Sequence, residues 1–159
     1  MSMRRNIIAL VTAATLLSAP AVASADPTAP QPDTPCPPDL SGVATVLPDA
    51  TMPLTCRDGR WQPVTTPQPP NDRWLSYGPE ITLRGQGKRN PEVAEGDWTA
   101  TPRDPESRCR AVLSEVVSAG VVGPPQVAEG RPGQPLSVTV PARMYEAALS
   151  GDCLWQKAD

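Results

Sequence analysis

Three carboxylates, Glu92, Glu95 and Asp97, crowd the approach to Trp98. A glycosidase needs two carboxyls flanking the bond it cuts, and oxygen-rich acids are also what calcium takes. The surrounding pattern supports neither. The loop spacing of a calcium-binding hand is missing, and acids in polar segments are ordinarily solvated. A second cluster is basic: Arg84, Lys88 and Arg89 in "RGQGKRN". Two glycines among cations describe a mobile loop able to hold an anionic group such as a phosphate or an acidic glycan. The third candidate is aromatic. Trp61 and Trp74 flank a proline-rich stretch. Exposed, they would offer a platform for sugar or peptide; buried, Trp61 would pack on a neighbouring disulfide.

Other chemistries are excluded by residue type. Histidine is absent, which removes Ser-His-Asp and Cys-His nucleophilic catalysis. The only lysines, Lys88 and Lys157, do not sit in a Ser-x-x-Lys spacing. The four cysteines, Cys36, Cys56, Cys109 and Cys153, lack the close pairing of a zinc knuckle. No catalytic residue, metal ligand or cofactor motif is therefore assigned, and the chain is not expected to be an enzyme.

The start of the chain gives an address. Arg4 and Arg5 precede an apolar run from Ile7 to Leu17, and Ala21-Val-Ala-Ser-Ala25 follows. This is the layout of a secretory signal peptide over 1–25, cut after Ala25, and the run is too short to span a bilayer comfortably. Export puts the chain in a secreted or periplasm-like envelope space, where four cysteines read as two disulfides with three possible connectivities. Losing Arg4 and Arg5, the only charges before Ala25, takes the formal net charge from −3 down by two to −5. An acidic chain is a poor partner for nucleic acid.

The elements that must position these residues follow from turn and breaker signals. Residues 26–38 hold six prolines and form an extended lead-in. Residues 39–64 read as a hairpin unit. Val43, Thr45 and Leu47 alternate as one strand, and two more run over 52–56 and 60–64. Asp58-Gly59 between them is a two-residue turn, and Cys36 and Cys56 would tie the lead-in to this hairpin. Residues 65–72 are a second proline-rich link. In 73–159, Trp74–Gly78 and Ile81–Arg84 suggest a strand pair. Asp97–Thr101 and Leu136–Val140 alternate cleanly, and 144–149 and 153–156 complete the set. The segment 105–117 is two-sided. Asp104 and Pro105 suit a helix start with apolar residues at helical spacing, yet Cys109, Ala111, Leu113 and Val117 also fit a strand.

The order of motifs in the main body, Val93-Ala-Glu-Gly-Asp-Trp98, Cys109-Arg-Ala, Gly133-Gln-Pro-Leu-Ser-Val-Thr-Val140 and Ser150-Gly-Asp-Cys-Leu-Trp155, resembles a β-sandwich domain recurrent in exported actinobacterial proteins. Glu95 stands where that family usually has proline, and the closing motif is more compact. The resemblance implies a strand rather than a helix at 109–117 and a Cys109–Cys153 bridge across the sandwich; it implies no reaction. The signal ending in Ala-Ser-Ala is similar to mycobacterial ones, and "CRDGRW" is similar in shape to Cys-x-x-Gly-x-Trp hairpins of minor pilin and complement-type modules.

The expectation is thus an all-β fold: a small antiparallel, jelly-roll-like sandwich over 73–159 with a disulfide-pinned hairpin unit before it. Its expected role is non-catalytic binding of an envelope protein, with a cell-wall glycan as the alternative and a carboxylate hydrolase third. Trp61, Trp74, Arg84, Lys88 and Arg89 are the candidate contacts.

Overall fold

Asp58 and Gly59 both adopt positive φ, 51° and 73°. Two such residues in succession give a turn whose twist matches that of the strands it joins. In the computed structural model they connect β2 (Leu54–Arg57) to β3 (Arg60–Pro63), with Cys56 opposite Trp61. The described residues are 29–48, 50–65 and 69–159. The expected signal segment and its cut lie outside them, as do Asp49 and residues 66–68 of the second proline-rich link.

The lead-in is more than a spacer. Asp33 donates to the Trp61 carbonyl, Trp61 donates to that of Thr34, and Cys36 donates to that of Gly59. Pro35 bridges Arg60 antiparallel. The lead-in therefore caps the outer edge of β3, and the Cys36–Cys56 disulfide fastens it there. A covered edge cannot recruit a strand from another chain. On the inner side, β1 (Ala44–Thr45) pairs antiparallel with β2 and parallel with β4 (Arg73–Arg84) through Ala44 and Trp74. The hairpin strands thus continue the sheet of the main body.

That body contains β5 (Gly96–Pro102), β6 (Arg110–Ser118), β7 (Val121–Val122), β8 (Gln126–Glu129), β9 (Leu136–Val140) and β10 (Met144–Lys157). One path runs β3-β2-β1-β4-β10-β5-β9, and β6 joins β10 while pairing with β7 and β8. The all-β sandwich is as expected, with a parallel junction at β1–β4 and a parallel bridge between Asn71 and Val93 among otherwise antiparallel strand pairings. Segment 105–117 holds no helix. β6 buries Ala111 and Leu113 and turns Arg110 and Val112 outward. Asp104, which would cap a helix, instead accepts from the Glu106 and Ser107 amides in a local turn, a standard alternative for an Asp-led segment.

Two expected strand boundaries are wrong, for a shared reason. Trp74–Gly78 and Ile81–Arg84 are one strand, β4, and 144–149 and 153–156 are one strand, β10. The two run antiparallel along their lengths, and Gly78 faces Gly151 where the register shifts. Both glycines have positive φ, 115° and 90°. They bend the paired strands without ending them, as glycine-marked bulges do. Before the bend, β10 pairs with β6 over Met144–Ser150; after it, with β5 over Cys153–Lys157. One strand therefore belongs to both layers.

Burial follows this geometry. Trp74, Trp98, Trp155, Leu83, Ile81 and Met144 share the larger core. Leu75, one residue from Trp74, faces a smaller core with Leu40, Val43, Leu54, Trp61 and the Cys36–Cys56 sulfurs, against which Leu154 also packs. β4 is covered on both faces there, which explains the unbroken apolar run "WL" where a half-exposed strand would alternate. The indole N–H of Trp155 donates to Ser76 Oγ (2.9 Å) and that of Trp98 to the Ala94 carbonyl (3.0 Å), as buried tryptophans require. The Cys109–Cys153 disulfide, spanning 44 residues, joins the chain just before β6 to β10 beside the bend.

At the two glycines the fold makes different demands. A Cβ on Gly78 would meet nothing within 4 Å, whereas one on Gly151 would collide with the Arg108 carbonyl. Gly78→Ala should therefore cost about 1–2 kcal/mol, from backbone strain alone. Gly151→Ala should cost clearly more, about 3 kcal/mol or above, because backbone must also move. Denaturant titration of the oxidised protein measures both, and equal losses would contradict the assignment. Replacing Cys109 and Cys153 together with serine should remove about 4 kcal/mol on loop entropy, against about 3 for the Cys36–Cys56 pair.

Candidate functional site

Thr55, Ala44 and Trp74 are register partners across β2, β1 and β4. This row floors a cleft of about 280 Å³ between the hairpin and the main body. Met52, Pro53 and Val64 line its hairpin side; Arg84, Pro91 and Glu92 line the other. The volume is at the small end of ligand sites.

Glu92 sets the electrostatics of the far wall. Its Oε1 accepts from Arg84 Nη2 at 2.8 Å and its Oε2 from the Arg84 amide, also at 2.8 Å. The Glu92 side chain is 14% exposed and that of Arg84 43%. The carboxylate is thus used from both oxygens and set back, while the guanidinium stands forward as a donor whose charge is largely offset. The cleft can accept hydrogen-bond acceptors but has no strong net charge for a free anion.

The floor has an unused polar group. Thr55 is only 8% exposed, yet its hydroxyl has no hydrogen-bond partner among the described residues. In contrast, buried Thr45 donates to the Leu75 carbonyl at 2.8 Å. Thr55 lines the cleft, where solvent or a ligand can serve its hydroxyl.

The sequence candidates separate into different roles. Trp61 does not line this cleft; it is 3% exposed and packs with Cys36 and Cys56. Trp74 does line it, but is 2% exposed and donates through its indole N–H to the Asn71 carbonyl at 3.1 Å. It is a floor rather than a stacking platform. Both tryptophans are buried because the chain has no Phe and the two cores need large apolar side chains.

The basic loop is likewise built in. Gly85 and Gly87 donate to the Tyr145 and Met144 carbonyls, and a Cβ on Gly87 would lie 2.8 Å from Val116. The glycines serve close backbone approach rather than an anion cradle. Lys88 contacts Glu146 Oε2 at 2.9 Å and sits 4.1 Å from the Tyr145 ring centroid. Arg89 is exposed and has no ion-pair partner among the described residues. Arg84 alone of the three lines the cleft.

The acids do not work together either. Glu92 is held by Arg84, Asp97 accepts from the Thr139 hydroxyl at 2.7 Å, and Glu95 is exposed. No three acids or cysteines among the described residues converge as metal ligands. Comparison with protein families, with curated proteins and with solved structures finds no match to this chain.

A different carboxylate is the one perturbed by burial. Asp152, beside the bend, is 13% exposed and lies 3.7 Å from Arg103 Nη1. Burial pushes its pKa above the usual carboxylate range, Arg103 opposes the shift, and Asp104 adds to it. A carboxyl whose native pKa is raised destabilises the fold once ionised. The penalty is absent below the unfolded pKa and grows as pH rises through the native value. Asp152→Asn should therefore raise the melting temperature near neutral pH, with the gain shrinking as pH falls below the raised native value and gone below about pH 4. Thermal melts across pH test this, and a gain independent of pH would assign the effect to packing instead.

Proposed function

We propose that this chain is an exported, non-catalytic binding protein of the extracytoplasmic or envelope space that holds its ligand in the cleft above Trp74. The observation carrying the reading is a preformed recess floored by Thr55 and Trp74 and walled by Arg84 and Glu92, whose floor hydroxyl has no partner among the described residues. A ligand acceptor there would take the place of the water that otherwise serves that hydroxyl. The signal-like pattern over 1–25 and two disulfides support export. Among the described residues, no helix is long and apolar enough to cross a membrane.

Catalysis has less support. The three acids of the hydrolase alternative are separately engaged or solvent-facing, and histidine is absent. The glycan alternative lacks its platform, since all four indoles are buried.

Two measurements test the reading. Expressed with its first 25 residues in an exporting host, the chain should be recovered beginning at Asp26, by N-terminal sequencing. Native mass spectrometry of the oxidised protein after exposure to fractionated envelope extract should show a bound species. Met52→Trp, which fills the cleft from an exposed wall position, should lose it. Retention of the same adduct by a folded Met52→Trp variant would move the site elsewhere.

A further inference from the structure

Building on the binding reading, we infer that the cleft takes a short extended peptide segment with small or branched apolar side chains. Each ligand class makes different demands on the lining. A sugar needs an exposed aromatic face or paired planar amides and acids; Trp74 offers almost no exposed ring, and Glu92 is already used from both oxygens. A phosphate needs uncompensated positive charge, but the cleft's only cation among the described residues is paired at 2.8 Å. An acyl chain would cover the hydroxyls of Thr51, Thr55 and Thr65 and the amide of Asn90 without satisfying them, at a cost for each.

A peptide fits this lining. Its side chains would meet Met52, Pro53, Val64 and Pro91. Its carbonyls would accept from Thr55 and from the forward part of the Arg84 guanidinium, and its amides would donate to the threonine hydroxyls. Proline recurs on the rim at Pro53, Pro69 and Pro91. These three positions bring no N–H, and side-chain donors stand at Thr55 on the floor and Arg84 on the wall. Backbone recognition through two fixed donors, with apolar contacts between them, follows the general logic of peptide grooves.

The test uses the oxidised protein, isotopically labelled for amide and indole NMR. The probes are an equimolar pool of acetylated, amidated tetrapeptides built from Ala, Leu, Val and Pro, then chitotetraose, inorganic phosphate and laurate separately. The peptide pool should shift the Thr55 and Arg84 amides and the Trp74 indole in a saturable manner, and the other probes should not. Thr55→Val should leave the melting temperature unchanged or higher, since no internal hydrogen bond is lost, and weaken peptide binding about fivefold, the worth of one hydrogen bond. Thr55→Ser should restore it. Equal binding by folded Thr55→Val would overturn the proposed contact. Saturable shifts with only the sugar, phosphate or laurate would overturn the peptide class while leaving the cleft as the site. No cleft shift with any probe, alongside an extract adduct sensitive to Met52→Trp, would also reject the peptide class. Absence of that adduct as well would reject the binding reading itself.

Discussion

The bend that β4 and β10 make together is the constraint on which the other contacts rest. Two strands hydrogen-bonded along most of their length can turn a corner only if both yield at the same register. Here the yielding residues are partners, Gly78 and Gly151. Beyond the corner β10 exchanges β6 for β5, so the two layers are halves of one ladder and share a core. The Cys109–Cys153 bridge closes on this corner, and the chain at Arg108 presses against Gly151 so closely that no side chain fits between them.

The cleft is a consequence of how the hairpin is attached. β1 is two residues long and meets β4 through a single parallel pairing. Past that pairing no described strand lies over Thr55 and Trp74, and the 85–92 loop approaches from the other side. What holds the loop in place is its tight packing on β10 through Gly85, Gly87 and Lys88. The rigidity of the wall thus comes from the main body, and the shape of the floor from the hairpin. A second joint is visible on the opposite face. There Arg73 donates to the Ser41 carbonyl at 2.7 Å and to that of Asp39 at 3.0 Å, anchoring the turn beside η1, the 3₁₀ turn Pro38–Leu40.

Local chemistry was readable from the sequence and non-local chemistry was not. Asp58-Gly59 announced its hairpin because a two-residue turn depends on those two residues alone. Leu136–Val140 was placed without error by clean alternation between turn signals. The 105–117 segment resisted because Asp104 and Pro105 serve a turn as well as a helix, and only pairing with β8 and β10 decides. Gly78 and Gly151 looked like strand ends, since a glycine that bends a strand and one that stops it are alike until the partner strand is known. The paired glycines of "GQG" were read as freedom when they mark close approach to Met144. Of the site, Trp74 and Arg84 were named, but as an exposed ring and a mobile cation. Thr55 was invisible, because its interest lies in a partner it lacks, and nothing in a sequence records that.

The same architecture fixes when the fold can form. β10 comes after every other strand in the chain, yet β4, β5 and β6 all pair with it. Until it has been synthesised those three have no common neighbour, and the larger core has no middle. The contacts that close it join residues far apart in sequence, as Trp74 to Trp155, and such pairings form slowly because the intervening chain must first be gathered in. A nascent chain of this kind stays open until its last strand is made. The late position of β10 therefore keeps translation and folding apart in time.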